Sequence, residues 1–343
     1  MDFLKKANTV LFFLIAIYLV FYYLAAFLVP LAFGIFLAML ILPFTRFLER
    51  NKFNSILSSL TSTFILFLFL GVLSYLFILQ ISQFADQLPG IRVNIESAVE
   101  SLQEQIASAT GVALEEQKEI IKERTFAIWG IIEAQVASFV GGILNFTSKF
   151  LLAFVYVFVL LLYRDKFMRF IIKMYSTKKE KENARDAVNG ITNVVYQYLW
   201  GRTQVMLALA VMYYITFLIF GLPFALLITL FGALITIIPY IGPIVSGLVP
   251  AGFALIFFED ASYIVIFLIT LFIIHLVESY FIEPYIVGRE VKLNALAIII
   301  AVILGGIIWG VAGMILFVPI FATIKIASNH SEGLRPFGAL LGR

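Results

Sequence analysis

The chain has 343 residues, 62% of them hydrophobic and 13% charged, with a mean hydropathy of +1.03 and a net charge of only +3. That much apolar surface exceeds what a soluble domain can bury, and it points to an all-α polytopic membrane protein of about six to eight membrane segments. The absence of cysteine excludes disulfides, thiol nucleophiles and cysteine metal sites, and no basic stripe interleaved with aromatics marks a nucleic-acid partner.

Lys5 and Lys6 precede a charge-free run over residues 7–45, which Arg46, Arg50 and Lys52 close. The start imitates a signal peptide, but the run continues without a small-residue cleavage site and is read as retained. A crossing takes about 20 residues, so the run is long enough for two spans, with Pro30 as the place to turn and a short second segment over residues 30–43. Two crossings return the basic residues to one side, which the positive-inside rule makes cytoplasmic. A third span over residues 57–80 then leads outside.

Residues 81–141 change character. Ile91, Ile95, Ala98, Leu102 and Ile106 recur at helical spacing opposite Glu96, Glu100 and Glu104, and Thr110-Gly111 supplies a turn before a second polar helix. This reads as an external acidic helical hairpin, serving as a spacer, a subunit contact or a ligand-binding element. A fourth span, 143–163, returns to a segment where Arg164, Lys166, Arg169, Lys173, Lys178, Lys179, Lys181, Arg185 and Arg202 face only Asp165, Glu180, Glu182 and Asp186. Such a basic segment belongs in the cytoplasm, where lipid phosphate contact is open to it.

The fifth span starts near Thr203 and ends near Gly221-Leu222-Pro223. The run 224–258 is too long for one span and too short for two, and it carries Pro239-Tyr240-Ile241-Gly242-Pro243 near its centre, with Gly247 and Pro250 beyond. Proline removes a donor and clashes with the preceding turn, and glycine does little to hold a helix, so the run must break at membrane depth. A break there is tolerated only where protein covers it or water and solute reach it, and broken helices at the midplane form the solute sites of secondary transporters. The other reading is a kink in a packed helix. Two half-length helices meeting at a tip would make a re-entrant hairpin with Glu259 and Asp260 outside.

A helix over residues 262–282 carries His275 and Glu278 and ends at Glu283-Pro284, before Arg289, Glu290 and Lys292. A last uncharged run, 293–324, contains Gly305, Gly306, Gly310, Gly313 and Pro319 and leads to a basic tail with Lys325, Arg335 and Arg343. If this run is also re-entrant, Arg289, Lys292 and the tail all lie inside. The competing topology has eight full spans and the same internal C-terminus. The organisation read from these shifts is 1–80 N-terminal membrane helices, 81–142 external segment, 143–163 membrane helix, 164–202 basic segment, 203–327 transport region and 328–343 tail.

An ionisable group at membrane depth costs roughly 2.5–3.5 kcal/mol at a helix centre, so each needs a partner or a purpose. His275 and Glu278 are three apart, share a helix face, and suit either proton or ion coupling or a satisfied helix–helix contact. Glu283 is the third candidate for coupling, with a helix-end anchor as its other reading, and Arg202 marks a membrane boundary. Thr236, Pro239, Tyr240, Gly242, Pro243 and Ser246, with Gly305, Gly306 and Gly310 of the last run, make up the expected substrate pathway. No metal, hydrolase-elbow or Walker motif is present, so no catalytic residue, metal site or cofactor is expected.

Ile238-Pro239-Tyr240-Ile241-Gly242-Pro243, Ile282-Glu283-Pro284-Tyr285-Ile286-Val287-Gly288 and the segment from Gly305-Gly306 through Trp309-Gly310 and Gly313 to Pro319 resemble, in order and spacing, the autoinducer-2 exporter family. The early double span, the external segment and the basic segment fit it as well. The resemblance implies a bacterial inner-membrane permease, multi-pass, with cytoplasmic termini. It implies an exporter of an autoinducer-2-like small polar solute in quorum sensing, with a sodium/proton antiporter as the alternative and hence a monovalent cation as the other partner. It also implies a homo-oligomer, a pentamer by preference, whose hairpin region moves against a scaffold. An ionisable pair at His275 and Glu278 raises the weight of proton or sodium coupling. A non-transporting membrane scaffold or sensor is the reading from another class.

Overall fold

A computed structural model describes residues 2–110, 130, 134, 137–138, 142–286, 293–331 and 333–342. The second polar helix expected between 111 and 141, and Arg289, Glu290, Lys292 and Arg343, lie outside the described residues except for those isolated positions. The fold is all-α, and among the described residues five helices are long and apolar enough to cross a membrane. The chain is a multi-pass membrane protein.

Helix α1 is Asp2–Tyr23 and α2 is Ala25–Arg50, so the early interruption falls at Leu24, not at Pro30. Pro30 and Pro43 both lie inside α2. The interruption has a side-chain partner instead of a helix-breaking residue: the Trp309 indole N–H donates to Phe21 O at 2.9 Å, the carbonyl that Ala25 N–H would engage in an unbroken helix. Phe21 and Trp309 stack beside it at 5.5 Å. Helical bonding resumes at once, with Leu28 N on Leu24 O at 2.8 Å.

Helix α3 is Ser55–Thr110, a single 56-residue helix capped by Asn54 Oδ1 on Leu57 N at 2.7 Å. The sequence-based boundary near residue 81 leaves no interruption in it, and Pro89 lies inside. At 1.5 Å per residue it is about 84 Å long, well beyond a hydrocarbon core of about 30 Å. Helix α4 is Ile143–Lys173 and α5 is Lys178–Ile219. A capping box starts α5: Glu180 N–H donates to Thr177 Oγ1 at 3.2 Å and Thr177 N–H donates back to Glu180 Oε2 at 3.1 Å. The Thr177 backbone donor, aided by its hydroxyl, holds the Glu180 carboxyl below its ordinary value.

The remaining elements are α6 (Ala225–Ile235), α7 (Ile241–Phe257), α8 (Ala261–Val277), a π-helical turn Glu278–Ile282, a short α-helical turn Glu283–Ile286, α9 (Ala295–Asn329) and α10 (Arg335–Leu341). They divide between two compact units that the chain enters alternately.

The first unit comprises Met1–Phe69, Ser148–Val205 and Glu283–Arg343. Its centre is Phe36 of α2, Val195 of α5 and Leu316 of α9, surrounded by Phe33, Leu199 and Trp309. Gly34 lets α2 approach α4, because a methyl there would lie 2.7 Å from Tyr156 Cβ. Arg164 spans both oxygens of Glu49 at 2.6 and 2.5 Å. In α9 the helix is folded at Gly310, with φ 60° and ψ −141°. Gly305 and Gly313 would be about 12 Å apart along a straight helix, yet their backbones touch, and a methyl on either would overlap the other's carbonyl oxygen. The C-terminal α10 is tied to the start of α9 by Asn294, which caps Ala297 N at 2.8 Å and donates to Leu340 O and Gly342 O at 2.8 and 3.0 Å.

The second unit comprises Leu70–Thr147 and Met206–Ile282. Phe84, Leu88 and Ile91 of α3 pack on Phe224 and Phe257, which flank the far ends of α6 and α7. Phe217 of α5 and Phe267 of α8 are fully buried and meet at 5.9 Å.

Candidate functional site

The site grows from the interruption between α6 and α7. Proline at 239 and at 243 supplies no N–H for Ile235 O and Pro239 O, and both carbonyls find other donors: Ile238 N at 3.1 Å and Ile241 N at 2.8 Å. The chain turns with Tyr240 at φ 65°, a left-handed conformation costing about 1–3 kcal/mol for a residue with a side chain. Gly242 allows the turn to close, because a methyl there would overlap the Ile235 carbonyl oxygen. Of the first three residues of α7, Ile241 and Gly242 have spent their amides within the turn and Pro243 carries none. The helix start is therefore a poor anion cradle, whereas hydroxyls and carbonyls remain for a neutral solute or a cation.

From this turn a buried polar chain runs inward. Ser246 Oγ donates to Pro243 O at 3.1 Å, Tyr213 of α5 donates to Ser246 Oγ at 3.3 Å, and the same phenol oxygen lies 3.3 Å from His275 Nε2 on α8. His275 Nδ1 lies 3.1 Å from Glu278 Oε2, and Glu278 is 1% exposed. Two glycines make the room. A methyl at Gly232 would meet the Tyr213 ring at 3.4 Å, and one at Gly247 would lie 3.1 Å from His275 Nε2. Thr229, on the Gly232 face of α6, buries a hydroxyl with no partner among the described residues. Glu278 opens the π-helical turn, a geometry that recurs at functional positions inside α-helices.

The expected residues thus separate into groups. Ser246, His275 and Glu278 come together, joined by Tyr213. Pro239, Tyr240, Gly242 and Pro243 shape the turn, and Thr236 is buried with its hydroxyl on Ala233 O at 2.7 Å. Glu283 does not join the chain of contacts: it pairs with Arg202 at 2.8 Å, within the first unit. Gly305, Gly306 and Gly310 belong to the first unit as well, where Gly306 packs on Met314. The sequence reading missed Tyr213, Gly232 and Thr229. Tyr213 is one of 15 tyrosines and lies 62 residues from His275, so nothing local marks it; Gly232 shares an uncharged run with the break, which is a usable but faint signal.

Known proteins resemble this chain over most of its length. A family profile described as AI-2E family transporter matches residues 11–333. YrrI of Bacillus subtilis, named as a candidate transport protein, is 26% identical over 313 residues, covering 90% of this chain and 87% of its own. MT0215 of Mycobacterium tuberculosis, named likewise, is 27% identical over 319 residues, covering 90% and 84%. The AI-2 transport protein TqsA of Escherichia coli is 32% identical over 106 residues, 30% of each chain.

Proposed function

Since the chain belongs to the AI-2E family of transporters, we propose that it is a secondary permease of the bacterial inner membrane, with both termini in the cytoplasm, exporting a small polar solute of the autoinducer-2 kind. The observation that carries this reading is the buried chain from Pro243 O through Ser246, Tyr213 and His275 to Glu278, which begins at a helix break. Buried hydroxyls and a carbonyl turn offer hydrogen bonds to a polyol without the dense charge an anion would need. Thr229 Oγ1 supplies a further hydroxyl for the same solute. The two folded helices act as re-entrant hairpins in this reading, and the protein works as a homo-oligomer among membrane lipids.

Purified protein in proteoliposomes, loaded with labelled autoinducer-2, tests it: flux in the parent that falls about fivefold in Ser246→Ala supports the reading, as loss of a neutral hydrogen bond of about 1 kcal/mol predicts. Flux equal in both, or in neither, sinks it. A second reading, a sodium/proton antiporter, is favoured by the buried carboxylate of Glu278, since a carboxylate at membrane depth is a common mark of an ion path. A sodium-driven change of internal pH that Glu278→Gln removes would place this reading first.

A further inference from the structure

The hydrogens along the buried chain can be counted. Pro243 O accepts only, so Ser246 spends its one hydrogen there, and Ser246 Oγ must accept from Tyr213. The Tyr213 hydroxyl has one hydrogen and has now used it. The contact to His275 Nε2 then requires Nε2–H to donate to the phenol oxygen. With Nε2 protonated, a hydrogen must still lie between Nδ1 and Glu278 Oε2, held either as imidazolium with carboxylate or as neutral imidazole with carboxylic acid. Both forms contain one proton more than neutral histidine beside a carboxylate.

Removing that proton rewrites the chain. Nδ1–H then serves the Glu278 carboxylate, Nε2 becomes an acceptor, and the single Tyr213 hydrogen has to leave Ser246 for His275. The bond lost is the one that connects α5 to the turn of α6 and α7. We infer that Tyr213 is a proton-reading switch: with the His275–Glu278 pair protonated its hydroxyl holds Ser246 and the broken helix, and with the pair deprotonated it turns to His275 and releases them. This deepens the permease reading and rests on it, naming proton occupancy of this site as the regulator of the hairpin. The bound proton exchanges with solvent, and no other covalent bond is made or broken.

Few other charges compete for the pair. Helices α6 and α7 contain no titratable residue. From α5 the facing group is Tyr213 itself. On α8 Tyr263 lies at the opposite end, against Phe258, and Asp86 and Arg92 lie on the stretch of α3 that packs on Phe224 and Phe257, away from the break. In the π-helical turn Tyr280 is exposed, and Glu283 beyond it is engaged with Arg202.

The test uses the full chain in lipid with His330→Asn, an exposed histidine outside the site, so that His275 is the single histidine. Isotope-labelled histidine observed by solid-state NMR across a pH titration should show Nε2 protonated at acid pH and bare at alkaline pH, where Nδ1 carries the hydrogen that serves Glu278. In parallel, the pH dependence of labelled autoinducer-2 flux, taken as the ratio between the two ends, should shrink about fivefold in Tyr213→Phe, as loss of a bond of about 1 kcal/mol predicts. Ser246→Ala removes the other end of the same bond and should flatten the profile equally. Nε2 bare throughout the titration, or a parent-like profile in either variant, overturns the switch. If the parent moves no solute at any pH, the permease reading fails, and the NMR titration alone decides the switch.

Discussion

Both late uncharged runs are broken helices, yet the two breaks are chemically unlike. Between α6 and α7 the interruption leads to two buried hydroxyls, a half-buried imidazole and a buried carboxylate. At Gly310 of α9 the fold is made by backbone alone: from residue 295 to 322 the Trp309 indole N–H is the one polar side-chain group, and it is spent on Phe21 O. Broken helices therefore come in two kinds here, one that closes a packing contact and one that exposes chemistry. Glycine at Gly305 and Gly313 serves the first, and glycine at Gly232 and Gly247 serves the second by leaving room for side chains that carry protons.

The sharpest way to break this distinction is Gly313→Val. Its first carbon would overlap the Gly305 carbonyl oxygen, so a loss of about 3 kcal/mol or more is expected, read as lost folded yield and a lowered Tm in detergent. An unchanged Tm would mean that the arms of α9 are not held by that contact. Glu278→Gln should give the opposite signature: flux lowered about tenfold or more with Tm nearly kept, since a bond in a charged network worth 1.5–3 kcal/mol is altered while the shape is preserved.

Smaller effects refine it. Gly247→Ala should displace His275 by a few tenths of an ångström, costing about 1 kcal/mol and lowering flux several-fold. Gly252→Ala, on the same helix but with nothing near its added carbon, should leave flux unchanged and raise stability by about 0.5–1 kcal/mol through helix propensity. Equal flux in the two variants would remove the meaning given to Gly247. The smallest effect is at the start of α5: Thr177→Ala should let Glu180 titrate closer to the ordinary 4.5. Because its folded-state value is lowered, the contribution of Glu180 is present above the ordinary value and lost as pH falls through the lowered one, and a carboxyl NMR titration reads this.

Legibility followed the range of the physical signal. The break at Pro239 to Pro243 and the His275–Glu278 pair are local features, set by a missing donor and a spacing of three, and both are visible in the chain. The Leu24 interruption is not, since its partner Trp309 comes from the other end of the sequence and Leu24 has no helix-breaking character. The continuity of α3 past residue 81 was hidden for a related reason: composition reports the solvent a helix meets, and a helix that leaves the membrane changes its residues without changing its backbone. Tyr213 escaped because its role depends on three helices meeting.

The π-helical turn Glu278–Ile282 accommodates one residue more than an α-helical turn of the same hydrogen-bonded span. That surplus sets register: deleting one residue there would draw the following backbone back by about 1.5 Å and rotate it by about 100°. Glu278 would keep its place three residues after His275, while the residues of the turn that follow it would change the face they present. The wide turn is thus a reserve of chain that opens on the carboxylate His275 engages, one residue longer than the span its hydrogen bonds would otherwise close.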